Sequence, residues 1–184
     1  TNTFYDELVL NDNQITSIPS NVFQGLRVKR LNLSGNKIHS ISPHAFRELS
    51  NYLEELIIEF DSNSLTEIPQ AIRTNLINLR SLKIINLNLS KLVNRTFINF
   101  RKLEQLTIQK SQIKSIEIDA FYSLANLRYL NLDQNHLDDS SWTSLTQHLI
   151  HLENLSLNQN HFHRLHASLS KSLKQLDLSS NGLQ

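Results

Sequence analysis

One spacing of leucine residues recurs from end to end of this 184-residue chain. The spacing is L-x-x-L-x-L-x-x-N-x-L, with Ile, Val, Phe or Tyr at times in place of Leu, and a complete copy runs from Leu127 through Asn135 to Leu137. Eight copies follow one another 21 to 26 residues apart, with first positions at Tyr5, Val28, Leu53, Leu79, Leu103, Leu127, Leu152 and Leu173. Units of this length cannot bury an apolar face alone, so the pattern predicts a solenoid in which each unit packs on its neighbours.

The first half of each unit alternates between apolar and polar residues. Such alternation predicts a short strand whose leucines point into a core. Stacking the units then brings the strands into a parallel sheet on one curved, concave face. The sequence therefore predicts an α/β repeat solenoid, a horseshoe of about eight repeats with few convex helices, as one domain over residues 1–184.

The Asn at the ninth position of the motif predicts a ladder of hydrogen bonds. A carboxamide has both donors and acceptors, so we expect it to bind backbone groups of its own unit and of the next one. Leu87 and Ser111 occupy this position in two units, where the ladder should weaken or change partners. The unit that ends near Leu65 has two extra residues before Asn63, and we expect them, near residues 59–62, to bulge the sheet or the following turn.

The second halves of the units predict the convex side. An aromatic side chain recurs there and is expected to form a stacked spine of Phe23, Phe46, Phe97 and Phe121. Residues 138–141 read DDSS, which is typical of a helix start, and Trp142, Leu145 and Leu149 follow at helical spacing. We predict a helix of about two turns here. Trp142 is interpreted as packing against the spine, with an exposed convex anchor as the alternative.

Charge and composition exclude several classes of function. With 18 basic and 17 acidic side chains the net charge is +1, so we predict no nucleic-acid partner. The absence of Cys excludes a disulfide framework and a Cys-based zinc site within this stretch. No apolar run reaches the roughly 18 residues that a membrane helix needs, so we predict no membrane contact by this segment itself.

No arrangement of residues indicates catalysis. The chain has no Cys nucleophile, Gly-rich phosphate loop or H-E-x-x-H motif, so we predict that it is not an enzyme and has no cofactor and no metal site. His136 and His161 hold the same position in adjacent units and are expected to stack, with His163 and His166 nearby. We interpret them as solvated turn residues, with a zinc site or a pH switch as the alternative.

The concave face is the predicted site for a protein partner. Two apolar residues on neighbouring units, Ile57 and Ile85, are expected to be exposed there, and Tyr129 lies beside Asp133. Interfaces favour such apolar and aromatic anchors within a polar rim. The candidate patch consists of Ile57, Glu59, Asp61, Lys83, Ile85, Gln109, Tyr129 and Asp133. The alternative is an ordinary solvated sheet face.

The second halves also resemble a known family. Residues 41–49 (ISPHAFREL) and 116–124 (IEIDAFYSL) resemble units of extracellular leucine-rich-repeat proteins, such as Toll-type receptors, Slit-type ligands and chaoptin-type adhesion proteins. Residues 52–56 with 63–69 look most like chaoptin-type arrays. The resemblance implies an extracellular or cell-surface adhesion or recognition protein with a homophilic or heterotypic protein partner. A Toll-type receptor ectodomain and a cytoplasmic leucine-rich-repeat scaffold are the alternatives.

Two further expectations depend on this resemblance. Extracellular arrays of the family usually carry Cys-rich caps, and none is present, so we expect this chain to be an internal fragment of a longer ectodomain. Four N-x-S/T sequons occur, at Asn32, Asn88, Asn94 and Asn154, a number that the Asn, Ser and Thr content alone accounts for. If the protein is secreted, Asn32 and Asn154 should lie on concave strands and Asn94 on the convex side.

Overall fold

The leucine motifs form the strands that their alternation predicts. A computed structural model describes residues 3–62, 64–165 and 169–184, so Asn63 and His166 lie outside the described residues. In chain order the strands are β1 (Thr3–Val9), β2 (Ser17–Ile18), β3 (Leu26–Ile38), β4 (Ser40–Ile41), β5 (Glu55–Phe60), β6 (Ser81–Ile85), β7 (Lys91–Leu92), β8 (Gln105–Gln109), β9 (Ser115–Ile116), β10 (Tyr129–Asn131), β11 (Asn154–Ser156) and β12 (Gln175–Asp177). The helices are α1 (Gln70–Asn75) and α2 (Trp142–Gln147), and single 3-10 turns cover Arg47–Leu49 and Asp139–Ser141.

One strand from each motif joins a parallel sheet of eight strands, in the order β1-β3-β5-β6-β8-β10-β11-β12. The fourth-position leucines lie opposite one another in this sheet, as Leu56 does with Leu82 and Leu82 with Leu106. Within β5, Leu56 and Ile58 are fully buried while Ile57 between them is partly exposed. The inward residues of all units therefore form one continuous core, and the outward residues form one continuous face.

The eighth position of the motif turns the chain away from each strand in the left-handed conformation. Positive φ angles occur at this position in Asp12, Gly35, Asn86, Lys110, Gln134, Gln159 and Ser180. Asn, Asp and especially Gly adopt this conformation at low cost. At Gly35 a Cβ atom would clash with the Asp12 carboxylate and lie 3.1 Å from Asp12 N, so the neighbouring turn leaves little room for a side chain.

The predicted asparagine ladder is present, with one correction to its direction. Asn135 Nδ2 donates to the carbonyl of Leu132 in its own unit at 2.8 Å and to that of Ile108 in the preceding unit at 2.9 Å. Its Oδ1 accepts the backbone N–H of Ile113, also in the preceding unit, at 3.2 Å. The bonded neighbour is therefore the preceding unit and not the next one, because the N–H groups that need an acceptor belong to the preceding turn.

The ladder changes partners where Asn is replaced, as predicted. Ser111 is fully buried, and its hydroxyl donates to Gln109 O at 2.8 Å while accepting the backbone N–H of Leu87 at 3.2 Å. The backbone N–H of Ser111 is in turn bound by Asn135 Oδ1 at 3.1 Å. Leu87 is fully buried among the apolar core residues. A smaller hydroxyl thus keeps the link between units that the carboxamide makes elsewhere.

The sheet has a register shift next to the two-residue insertion, but not the bulge predicted for the inserted residues. Strands β3 and β5 pair regularly up to Leu33 and Ile58, and the next pair joins Ile38 to Phe60. Five steps along β3 thus correspond to two steps along β5, so the extra residues at this register shift lie on β3, in the unit before the insertion. Beyond it, Asp61 donates its backbone N–H to Ile38 O at 2.9 Å, which holds the turn after β5 against the preceding unit.

Stacked phenylalanines form the predicted convex spine in two separate pairs. The rings of Phe23 and Phe46 lie 5.8 Å apart with an interplanar angle of 12°, and those of Phe97 and Phe121 lie 5.9 Å apart at 11°. Between these pairs, the unit that contains α1 carries Ile72 in place of a phenylalanine. The spine therefore has a gap at the same unit whose first half contains the insertion.

Both helices lie in the second halves of their units. The predicted helix is present as a 3-10 turn followed by α2, and Asp138 Oδ1 accepts the N–H of Ser140 at its start. Trp142 is only 3% exposed and packs on Phe162 at 4.7 Å, so the alternative of an exposed anchor is wrong. The helix α1, which follows Pro69, was not predicted. None of the helices among the described residues has the length and apolar character needed to cross a membrane.

Candidate partner-binding face

The sheet brings most of the predicted patch together on its concave face. In the paired register, Ile57 of β5 lies opposite Lys83 of β6, and Glu59 lies opposite Ile85. Ile85 in turn lies opposite Gln109 of β8. These five residues therefore occupy two adjacent rows, and the parallel pairing repeats the rows at about 4.8 Å from strand to strand.

Glu59 of the predicted patch is already engaged within the protein. Its Oε2 accepts the backbone N–H of Gly35 at 2.9 Å, and its Oε1 accepts Asn86 Nδ2 at 2.8 Å. Both carboxylate oxygens thus join the turns of the units on either side. Glu59 holds the frame of the concave face and is not an open contact for a partner. The sequence motif gave no sign of this role, because both donors lie more than twenty residues away.

Asp133 is the centre of a second internal network. Its Oδ1 accepts the hydroxyl of Ser156 at 2.6 Å and the backbone N–H of Asn158 at 2.8 Å. Its Oδ2 accepts Asn131 Nδ2 at 2.8 Å, and Gln109 Nε2 lies 3.5 Å away. Asp133 therefore links the units of β8, β10 and β11. The carboxylate positions its neighbours and presents little free acceptor capacity of its own.

Asn131, a concave residue outside the predicted patch, connects this network to Tyr129. Asn131 is only 6% exposed, its Oδ1 accepts Gln109 Nε2 at 3.1 Å, and its Nδ2 donates to the Tyr129 hydroxyl at 3.3 Å. At the last strand, the Ser179 hydroxyl and backbone N–H both donate to Asp177 and lower the pKa of that carboxyl below its ordinary value. Polar groups of the concave face are thus largely prearranged by one another.

The rest of the patch is apolar and carries one charge of each sign. Ile57 and Ile85 are partly buried and not the fully exposed anchors expected from the sequence, because neighbouring side chains on the pleated sheet cover their flanks. Lys83 lies beside Ile57, and Asp61 is exposed just beyond the end of β5. The two isoleucines and the lysine thus lie together on a frame that internal hydrogen bonds fix.

The predicted histidine pair is present at the edge of the sheet. The rings of His136 and His161 are stacked with centroids 5.3 Å apart, and His136 Nδ1 lies 3.1 Å from His161 Nε2. His136 Nε2 also lies 2.8 Å from Gln112 Oε1. Within the described ranges no group of three or more His, Cys, Asp or Glu could hold a metal ion. His148 contacts Asp119 at 2.8 Å in a separate convex position.

The four sequons differ in accessibility. Asn32 is partly buried on β3, and its Oδ1 accepts the hydroxyl of Ser34 at 2.7 Å. Asn154 is partly buried on β11 and donates to Gln175 Oε1 at 3.2 Å. Asn88 is also partly buried, whereas Asn94 follows β7 and is exposed. The location of Asn94 away from the concave strands agrees with the prediction for it.

Comparison with known proteins decides the family. A model of BspA type leucine rich repeat regions matches residues 16–145 in six copies. The chain belongs to the leucine-rich-repeat family. This membership and the eight-stranded parallel sheet confirm the predicted repeat solenoid. The leucine-rich-repeat scaffold is a non-enzymatic one, as predicted.

This leucine-rich-repeat chain is similar to three proteins, two of which have enough sequence identity to inform more than the fold. It is 31% identical over 175 residues to podocan of Mus musculus, covering 95% of this chain and 28% of podocan. The mouse RP105/MD-1 complex matches with a TM-score of 0.77 and 24% identity over 97% of this chain and 30% of that one, which shows the fold alone. A TLR13–ssRNA13 complex matches with a TM-score of 0.71 and 26% sequence identity. The match covers 94% of this chain and 28% of that one. The chain thus spans under a third of each of these proteins. Podocan is an extracellular matrix protein, and the TLR13 chain is a receptor ectodomain.

Proposed function

We propose that this leucine-rich-repeat scaffold binds a protein partner outside the cell through its concave face, as part of an adhesion or recognition protein. The observation that carries the proposal is the partly exposed group of Ile57, Lys83 and Ile85 on adjacent strands. The carboxylates of Glu59 and Asp133 on the same face are held by internal hydrogen bonds. A face fixed in this way loses little conformational entropy when a large partner binds.

A cell-mixing experiment tests adhesion directly. The complete ectodomain is displayed on non-adherent cells, which are mixed with bare cells of another colour. We expect displaying cells to cluster with each other and to exclude the bare cells. Displaying cells that stay dispersed, with the protein confirmed at the surface, would contradict homophilic adhesion and leave a heterotypic partner as the remaining form of the proposal.

Paired variants then test the concave face. We expect Ile57→Ser with Ile85→Ser to abolish clustering, or binding of a heterotypic partner, because it removes the apolar contacts while the carboxylate bonds remain. The matched control is Ile150→Ser, which changes a side chain that is 60% exposed and lies outside the concave strands. If clustering or partner binding is lost equally in the double variant and in the control, or is kept in both, the assignment of binding to this face is contradicted.

A Toll-type receptor ectodomain is the second candidate, and the similarity to the TLR13–ssRNA13 complex favours it. That complex contains single-stranded RNA, so the exclusion of nucleic acid from the net charge stays a prediction for this chain. A filter-binding measurement with single-stranded RNA tests whether this chain is a nucleic-acid-binding receptor of that kind. We expect no retention at physiological salt, whereas salt-resistant retention would favour the receptor. A cytoplasmic scaffold is contradicted if the native protein carries a glycan at Asn94.

A further inference from the structure

The second position of the leucine motif carries a charge in every unit, and the sign alternates without exception. We call this row the charge ladder, and its eight residues are Asp6, Lys29, Glu54, Arg80, Glu104, Arg128, Glu153 and Lys174. The alternation is visible in the sequence once the units are aligned. It is independent of the concave patch, since none of these residues belongs to that patch.

The backbone places neighbouring charges of the ladder side by side. Arg80 donates its backbone N–H to Glu54 O at 2.7 Å, and Glu104 donates to Arg80 O at 2.8 Å. The same bond joins Arg128 to Glu104 and Glu153 to Arg128, at 2.8 Å in both cases. From β5 onward each ladder residue immediately precedes a strand of the large sheet. The ladder therefore follows the edge of the sheet at which the strands begin.

Neighbouring charges form ion pairs along the ladder. Arg80 Nη1 lies 2.5 Å from Glu104 Oε1, and Arg128 Nη1 lies 2.5 Å from Glu153 Oε1. These pairs leave much of each cation open to solvent, because the side chains of Arg80 and Arg128 remain 56% and 62% exposed. Each charge thus has an opposite neighbour within its own row, and Arg80, Arg128 and Lys174 keep an open outer side, whereas Glu153 is only 25% exposed. Such exposed pairs are individually weak, so a further row of opposite charges can add to them.

An alternating row of even length is complementary to itself when its direction is reversed. A two-fold axis between Arg80 and Glu104 sets each of these residues against the other in a second copy. It also sets Glu54 against Arg128, and the outer four residues likewise meet opposite charges. A two-fold axis along the radius of an arc maps that arc onto itself, so the curvature of a solenoid does not prevent the match. The result is a checkerboard in which every charge gains one more opposite neighbour.

We propose that the charge ladder is a docking edge for a second copy of this chain, which binds antiparallel about a two-fold axis between Arg80 and Glu104. The partner is fixed by charge complementarity, since a parallel copy in the same register would place like charges together at every position. The interface lies on the edge of the sheet and leaves the concave face free. It is therefore a second interaction surface, separate from the proposed site around Ile57 and Ile85.

Analytical ultracentrifugation of the full chain tests the proposal. We expect dimers at low salt that dissociate by 0.5 M NaCl, where the Debye length falls to roughly 4 Å, with a Kd at least about tenfold weaker than at 0.02 M. A wild-type chain that stays monomeric at low salt and about 100 μM would overturn the proposal. A dimer that is unaffected by salt would overturn it as well.

Two double variants make the test specific. Variant A is Glu54→Arg with Arg80→Glu, and variant B is Glu104→Arg with Arg128→Glu. Each places like charges together at the four central contacts of its own antiparallel dimer, so we expect each alone to dimerise at least about tenfold more weakly. Mixed in equal amounts, A and B again present opposite charges at every contact and should form a heterodimer. A mixture that associates no better than either variant alone contradicts the antiparallel arrangement.

A third variant controls for stability. Arg80→Glu with Glu104→Arg also reverses two charges and also creates two like-charged neighbours within the row. It keeps every contact across the two-fold axis opposite, however, so it should dimerise as the wild type does. The Ile57→Ser, Ile85→Ser protein should also dimerise normally, which separates this edge from the proposed function of the concave face. Loss of the dimer in either control would overturn the assignment.

Discussion

Asn135 binds Ser111 across the boundary between two units, with its Oδ1 accepting the Ser111 backbone N–H at 3.1 Å. The same carboxamide donates to three carbonyl groups, those of Ile108, Leu132 and Asp133. Asn135 is only 3% exposed, so these backbone groups have little access to water. The side chain therefore links two consecutive turns by hydrogen bonds at the point where the preceding unit has Ser in place of Asn.

Replacing Asn135 should lower the stability of the fold. We expect Asn135→Ala to lower the free energy of unfolding by about 3 kcal/mol, because it leaves several buried backbone groups without a partner. Asn13→Ala is the matched control, since the exposed Asn13 donates only to carbonyls of its own unit and should cost under about 1 kcal/mol. Urea unfolding of both proteins measures the difference. An equal loss of unfolding free energy in the two variants would contradict the stabilising role given to the asparagine ladder.

Gly35 should tolerate no side chain. Gly35 and Gly25 both have positive φ angles, of 63° and 77°, so Ala is strained at either position. A Cβ atom at Gly35 would also meet Asp12 within 3.1 Å at its backbone N, whereas at Gly25 nothing lies within 4 Å. We expect Gly25→Ala to cost about 1 kcal/mol and Gly35→Ala about 3 kcal/mol. Thermal unfolding that ranks the two variants in the opposite order would refute the steric argument.

Acid should weaken the contacts of Glu153. Hydrogen bonds from Lys174 and Arg128 hold the pKa of Glu153 below its ordinary value of 4.5. The stabilising contribution is therefore complete above the pKa of the unfolded chain and is lost as the pH falls through the lower pKa of the folded state. We expect the wild type to lose more stability than Glu153→Gln between about pH 5 and pH 3. If urea unfolding shows the same loss of stability in both proteins over this pH range, a stabilising role for the Glu153 contacts is contradicted.

Glycosylation in a secreting host should favour Asn94. Its side chain is exposed outside the large sheet, and its Oδ1 accepts the Asp119 backbone N–H at 3.0 Å, which orients the carboxamide. Intact mass spectrometry should show a glycan that Asn94→Gln removes. The control is Asn154→Gln, which should leave the mass of the glycosylated protein otherwise unchanged because Asn154 is partly buried on β11. A glycan on Asn154 in place of Asn94 would contradict this ranking.

The repeat pattern predicted those features that each unit determines by itself. The strands, the buried leucines, the Asn135 ladder and the Phe97–Phe121 stack all recur at fixed positions, so eight copies reinforce one signal. The predicted direction of the asparagine ladder was wrong. The motif gives the spacing of the asparagines but does not show on which side the bonded neighbouring unit packs. The helix α1 was missed because its six residues begin after Pro69 without a side-chain cap.

The candidate face was predicted only in outline. The motif indicates which side chains point outward, and it placed Ile57, Lys83 and Ile85 correctly on adjacent strands. It could not show that Glu59 and Asp133 are consumed by internal bonds, because their donors come from units whose side chains differ from one repeat to the next. Networks of this kind depend on pairwise geometry between repeats and leave no periodic trace in the sequence.

The charge ladder constrains how an array of this kind can change in length. Deleting an internal repeat, or duplicating any repeat, would bring two like charges together, as loss of the unit of Arg80 would place Glu54 beside Glu104. Adding or removing two consecutive repeats leaves the alternation intact. Within the charge ladder, the alternation of sign is therefore kept only when internal repeats are inserted or removed two at a time. The smallest internal change of length that keeps the charges alternating is therefore a pair of repeats, although the smallest structural unit is a single repeat.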